Sequence, residues 1–229
     1  MQLIPIPNLL YMLLPLVVVG YFYHNWLDNG KEIIYATLRM IIQLLLIGYI
    51  LIYIFENRSY LIGTAIILIM ITMSSFITLR NLQTKTFKSY WPIFISIAFG
   101  GSINLLLVIE FVLDLNNFYE PRYVIPIAGM IYANCMNAVS IAAERFEKEI
   151  QHNSYIKARN IAFKSALIPS INAFLAVGLV SLPGMMTGQI LSGVDPLIAV
   201  RYQMVVMAMI LGSSGIATVT YLNLKKRYL

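Results

Sequence analysis

The feature that most constrains this chain is a succession of apolar runs, each about as long as a bilayer is thick. There are seven: Ile4–Tyr23, Ile33–Phe55, Tyr60–Leu79, Trp91–Leu113, Tyr123–Ala143, Ala166–Leu182 and Leu197–Leu222. A helix rises ~1.5 Å per residue, so ~20 apolar residues cross a ~30 Å hydrocarbon layer. Of the 229 residues, 59% are hydrophobic and only 11% are charged. A soluble domain carries ~25% charged residues, and a globule of this size has too much surface to hide so much apolar side chain. A soluble enzyme, a nucleic-acid-binding module and a disordered chain are all excluded. In lipid each backbone N–H and C=O must be paired internally, which leaves helices or closed barrels. The ~10-residue dyad alternation of barrel strands is absent. The expected fold is all-α: one polytopic membrane domain over residues 1–229, with about seven transmembrane helices in the lipid bilayer.

Charge between the runs sets the expected orientation. If seven helices alternate, thirteen of the sixteen basic residues fall on one side. They are Lys31 and Arg39; Arg80, Lys85 and Lys88; Arg145, Lys148, Lys157, Arg159 and Lys164; and Lys225, Lys226 and Arg227. The other side keeps Arg58, Arg122 and Arg201. Basic residues collect on the cytoplasmic side, so the C-terminus is expected in the cytoplasm and the N-terminus outside. The sixth run is short and ends at Pro183-Gly184, as a tilted or broken helix would. Trp26, Trp91, Tyr60, Tyr90, Tyr123 and Tyr221 stand at run ends, where amphipathic rings anchor at headgroup level. The first basic residue, Lys31, follows the first run, so that run is expected to stay as a membrane helix and not to be cleaved as a signal.

Motifs for chemistry are missing. Gly30-Lys31 is followed by Glu32, not by Ser or Thr, so there is no phosphate-binding loop. HExxH, CxxC and GxSxG do not occur, His24 and His152 stand apart from other ligand types, and the single Cys135 can form no intrachain disulfide. No enzymatic activity and no bound cofactor is expected. A transporter built this way runs on an ion gradient or borrows an ATPase.

The most distinctive stretch is SLPGMMTGQILSGVDPLIAVRYQ, Ser181–Gln203. Pro183-Gly184 interrupts helix, and Asp195-Pro196 restarts it with Asp as N-cap and Pro at the first helical position. The stretch reads as an outer loop or, given its glycines and its two methionines, as a packed or re-entrant element. Gly184 and Gly188 also form a GxxxG pair that could serve helix packing. With ATLRMIIQLLLIGYIL (Ala36–Leu51), RYVIPIAGMIYANCM (Arg122–Met136) and ALIPSIN (Ala166–Asn172), it resembles the bacterial iron-export ABC permease family, which includes the plant aluminium-tolerance permease subunits. The resemblance implies a permease of the cytoplasmic (inner) membrane that exports a metal. It implies a separate ABC ATPase partner that binds ATP and Mg, and a permease homodimer. Similar permeases carry a longer segment between spans five and six with a Leu-Gly-Ala/Gly-Thr-Pro element. Here that stretch is shortened to EKEIQHNSYIKARNIAFKSALIP, and Ala133 stands where a glycine usually precedes the asparagine.

Candidate residues follow. Glu144–Lys164 is either a solvated loop held near anionic lipid or, with the resemblance, a short amphipathic coupling helix seated on the ATPase. Its candidate contacts are Glu147, Lys148, Lys157 and Arg159. Met130, Asn134 and Asn137 share a face of the fifth run, as substrate-pathway groups or as packing. Cys135, Met185, Met186 and Gln43 are further pathway candidates; the identity of any metal ligand stays open. Arg39 and Gln43 stand i, i+4, with Arg39 either snorkelling or latched to another helix. Glu110 and Asp114 stand i, i+4 as a solvated end or an acidic vestibule, and Gly100-Gly101 permits close packing or a hinge. Two alternatives remain at this point: a permease for another metal or a small organic anion, and a membrane scaffold that moves nothing.

Overall fold

The computed structural model describes residues 4–27, 29–56, 59–82, 85–114 and 119–228. Arg58, assigned above to the outer side, lies outside them. The chain divides into two compact units, Met1–Asn57 and Arg58–Leu229.

The first unit is a helical hairpin. A short lead-in, Ile6–Leu9 and Leu10–Met12, runs into α1 (Leu13–Leu27), and α2 spans Gly30–Glu56. Glu32 clamps the turn by accepting hydrogen bonds from Tyr23 Oη and Asn29 Nδ2, each at 2.9 Å.

The second unit contains α3 (Tyr60–Arg80), α4 (Phe87–Leu107), α5 (Pro121–Glu149), α6 (Tyr155–Ala176), α7 (Gly184–Leu191) and α8 (Pro196–Lys225). Lipid tails are as apolar as leucine, so these helices associate through close backbone approach and buried hydrogen bonds. Their sequences supply both. A methyl group on Gly100 would stand 2.6 Å from the backbone nitrogen of Ala217, and one on Gly101 would strike the Tyr132 ring. Tyr132 is fully buried, and its hydroxyl lies 3.0 Å from Ser102 Oγ. Ala158, Ala162 and Ala166 form a buried small-residue stripe on α6, which packs on α5. Thr78 Oγ1 donates to the Met136 carbonyl and accepts from Ser140 Oγ, joining α3 to α5.

Among the described residues six helices are long and apolar enough to cross a membrane: Pro7–Leu27, Gly30–Phe55, Tyr60–Arg80, Phe87–Val112, Pro121–Glu149 and Pro196–Lys225. The sixth apolar run differs from expectation. Its helix starts earlier, at Tyr155, where polar residues still favour helix, and ends at Ala176 instead of Leu182. A tight turn stops it: Gly178 takes a φ of +79°, Val177 bridges Ser181, and the Ser181 amide donates to the Ala176 carbonyl.

Four further expectations are corrected. Glu144–Lys164 holds no separate coupling helix; α5 runs on to Glu149, residues 150–154 turn, and α6 begins. The ion pairs Arg145–Glu149 and Lys148–Glu144 extend α5 at i, i+4 spacing. Glu110 and Asp114 do not share an α-helical face, because Val108–Val112 widens into a π turn and Asp114 leaves it at φ +43°. Tyr221 is fully buried and Tyr90 nearly so; both belong to the core, whereas Trp26, Tyr60, Trp91 and Tyr123 are exposed at helix ends. Gly184 and Gly188 face open space and pack against nothing among the described residues. Gly100-Gly101, by contrast, is a site of close packing.

Candidate functional site

The Ser181–Gln203 stretch folds as its residues direct. Pro183 caps α7, an eight-residue helix, and Gly193 takes the left-handed φ of +89° that ends it. Asp195 Oδ1 then accepts from the Leu197 and Ile198 amides, with Pro196 opening α8. This capped turn lays α7 against α8.

The packing of α7 sets its two methionines over different cavities. Met185 lines one of about 220 Å³, together with Met130 and Arg122 from α5 and Tyr202 and Met209 from α8. Met186 lines another of about 430 Å³, with Gln203, Met204 and Met207. Gln203 is 5% exposed, and its Oε1 has no hydrogen-bond partner among the described residues. Thioethers are neutral, polarisable donors that hold soft cations weakly. The described residues contain no cluster of three or more His, Cys, Asp or Glu side chains.

Of the pathway candidates, then, Met130 and Met185 meet in one cavity and Met186 looks into the other. Asn134 uses an amide hydrogen on the Met130 carbonyl of its own helix, at 2.8 Å. Cys135 is wholly buried inside the bundle and lines neither cavity. Asn137 and, on α2 of the first unit, Gln43 are exposed. Arg39, half-buried on α2, has no ion-pair partner among the described residues. Sequence reasoning missed Met209 and Tyr202, which adjoin Met130 only in space, and Arg122, about two turns ahead of it on α5. Gln203 left a signal, an amide within an apolar run.

The four coupling candidates sit at the opposite end of the second unit and face two ways. Lys148 and Lys157 point outward. Glu147 turns inward to Lys225, at 4.0 Å with both side chains 16% exposed. Arg159 lies 5.9 Å from the centre of the Tyr155 ring. Tyr155 Oη in turn donates to the Leu222 carbonyl, and its ring packs on Phe146. The α5–α6 tip is therefore tied to the end of α8.

A bundle of apolar helices with small-residue crossings and buried hydroxyls defines a multi-pass membrane protein. Residues 8–156 and 151–229 match the uncharacterised protein family UPF0014, and the chain belongs to that family. The chain is 33% identical to the probable iron export permease protein FetB of Escherichia coli, over 95% of this chain and 89% of that one. It is 31% identical to the protein ALUMINUM SENSITIVE 3 of Arabidopsis thaliana, over 90% and 80% of the two chains. It is 30% identical to the membrane protein STAR2 of rice, over 83% and 72%. No solved structure matches the chain. The two matched segments of the family overlap at residues 151–156, on the turn between α5 and α6 and the first residues of α6.

Proposed function

We propose that this chain is the membrane-spanning permease subunit of an ATP-driven exporter of iron or a related metal. It works as a homodimer with a separate ABC ATPase, which binds the ATP and Mg. Residues 1–229 form one permease domain in the cytoplasmic membrane. It crosses seven times, α6 with its closing turn providing the sixth crossing, with the N-terminus outside and the C-terminus in the cytoplasm. The observation that carries this reading is the likeness to FetB over 95% of the chain.

The mechanism proposed with it starts from the α5–α6 tip. A helical hairpin tip tied to α8 by Tyr155 and by the Glu147–Lys225 pair is stiff enough to pass on a push. ATPase closure against Lys148 and Lys157 would move α5 and α6 together and change the cavity that Met130 shares with α7 and α8. Weak thioether contacts suit a carrier, which must let its cargo go. Gln43, Asn134, Asn137 and Cys135 would act from outside these two cavities. A second reading concerns the form of the cargo. Arg122 in the cavity wall disfavours a bare cation and favours an anion, or a metal carried as an anionic complex.

The test is reconstitution of the full chain in liposomes with its ATPase. Metal-stimulated ATP hydrolysis and metal flux are expected. Lys148→Glu with Lys157→Glu should cut flux to the level seen without ATPase while membrane insertion stays intact. Met130→Leu with Met185→Leu should lower metal stimulation. Flux that needs no ATPase overturns the proposal. Comparing free ferrous ion with an iron–citrate complex, in the parent and in Arg122→Gln, decides the form of the cargo.

A further inference from the structure

Beyond the cargo route, α6 and α8 border a groove with unlike ends. At the end near the α5–α6 turn a cavity of about 240 Å³ is lined by Arg159, Asn160, Phe163, Val219, Leu222 and Asn223. Val219 also lines a second cavity of about 540 Å³, whose other walls are wholly apolar apart from Thr220: Leu167 and Ile171 of α6, Gly212, Gly215 and Ile216 of α8, and Phe99 of α4. The two cavities therefore lie end to end along α6 and α8, with Val219 as their common wall. From Asn160 to Ile171 the groove runs about 17 Å at the helical rise. That is close to one leaflet, half of a ~30 Å hydrocarbon layer.

The polar end is built from donors. Arg159 gives Nε and Nη2 to Asn160 Oδ1, at 3.2 and 3.1 Å, and lies over the Tyr155 ring. This fixes the guanidinium and leaves its remaining N–H groups, with Asn160 Nδ2 and Asn223 Nδ2, to meet an acceptor. Lys226 brings a second cation to the same ring, 5.7 Å from its centre. The carboxylates of the last turns of α5 have cations of their own: Glu144 with Lys148, Glu149 with Arg145 and Glu147 with Lys225. Among the described residues neither Arg159 nor Lys226 has a carboxylate partner.

We infer that the α6–α8 groove is a binding site for one anionic phospholipid. Its phosphate is held by Arg159, Asn160, Asn223 and Lys226, and an acyl chain lies along Leu167, Ile171 and the open face at Gly215. Two cations around one aromatic ring, with several donors beside them, match a phosphate that carries net charge. A choline headgroup would bring its own cation against Arg159 and Lys226. The groove's length seats the tail in the leaflet whose headgroups meet that end. Calling this the cytoplasmic leaflet rests on the orientation proposed above; the site itself does not. The inference also divides the basic pair of the α5–α6 region. Lys157 faces outward and is left to the ATPase, and Arg159 belongs to lipid.

The experiment uses the purified full chain in detergent, without ATPase or metal, so its outcome is independent of transport. Phosphatidylglycerol and phosphatidylcholine of identical chains are titrated while retained lipid is read by native mass spectrometry and the unfolding temperature is followed. Phosphatidylglycerol should bind at least about tenfold more tightly, given ~1 kcal/mol for each basic residue near an anionic lipid. Arg159→Ala with Lys226→Ala should abolish the preference. Gly215→Leu, at a position facing open space, should weaken retention of either lipid and leave the unfolding temperature of the lipid-free protein unchanged. Equal binding of the two lipids, or a preference that survives the double substitution, overturns the inference. So does full displacement by millimolar inorganic phosphate, which would make this a soluble-anion site. Gly215→Cys chains that cross-link to each other in the absence of lipid would assign the groove to a second copy and overturn it as well.

Discussion

The membrane spans of the two units overlap in hydropathy, yet they bury that apolar surface very differently. None of the apolar stretch of α1 is buried and only 6% of that of α2, against 28% for α3, 50% for α4 and α5, and 44% for α8. Leu44, Leu45 and Tyr49 of α2 are all more than 60% exposed, while Ile93, Ile97 and Ile131 of the second unit are fully buried. Hydropathy measures preference for lipid over water and cannot separate these cases. The difference lies in the minor residues. Helices that pack carry Gly, Ala, Ser and Thr on one face, as α4 does with Ser96, Gly100 and Gly101. The first two helices are mostly bulky aliphatics and aromatics outside the Glu32–Gln43 face of α2, as helices bathed in lipid are.

The strongest way to break this comparison is to change side-chain size in both units. Gly100→Leu would drive a side chain into the backbone of Ala217, which cannot move without displacing α8. Overpacking of this kind costs about 1–3 kcal/mol, and the variant should unfold below the parent in detergent. Gly100→Ala should show a smaller loss of the same sign. Leu45→Ala, at a 62% exposed position, should change stability by less than ~0.5 kcal/mol. Equal effects at the two positions would mean that the units do not differ as described.

A finer version compares buried polar groups. Tyr132→Phe removes the hydroxyl that meets Ser102 Oγ at 3.0 Å and leaves the ring against Gly101. Hydrogen bonds between membrane helices average ~0.6 kcal/mol, so a loss of that order is expected in a denaturation midpoint. Ser102→Ala should cost about as much, and the double variant should cost little more than either single one. Additive losses would show that the two groups do not act on each other.

These contrasts also mark what was legible beforehand. Apolar runs longer than ~17 residues announced the helices, because the bilayer imposes its thickness on them. The Asp195-Pro196 start was readable because a cap is a local device, satisfied within three residues. The end of α6 at Ala176 was not, since Leu179, Val180 and Leu182 continue the apolar run through a turn that only backbone pairing reveals. Tyr221 read as an interfacial anchor because it sits near a run end, but the tail of α8 lies within the bundle, and the ring is buried there. Of the candidate site, the motif located α7 and its methionines. Which cavity each methionine faces depended on how α5, α7 and α8 cross, and a crossing leaves no local trace.

The smallest expected effect concerns Tyr119, on the loop between α4 and α5. Its ring is 7% exposed and sits against Gly63, and its hydroxyl has no partner among the described residues. Burial raises its pKa above the ordinary 10.0, because an anion there would lose its water. The sign follows from linkage. Below pH 10 the residue is neutral in both states and adds no pH dependence. As pH rises above 10 the unfolded chain gives up this proton and the folded chain keeps it, so stability falls until the folded hydroxyl also ionises. Tyr119→Phe should therefore match the parent at pH 8 to within ~1 kcal/mol, since no paired hydroxyl is lost. Above pH 10 it should become the more stable of the two. The other tyrosines titrate in both proteins and cancel in the difference between their denaturation midpoints. A variant clearly weaker than the parent at pH 8 would show that the hydroxyl is held by a partner. A difference that did not grow between pH 8 and pH 10.5 would show that this loop lies open to water, and the close packing of the second unit would then stop short of it.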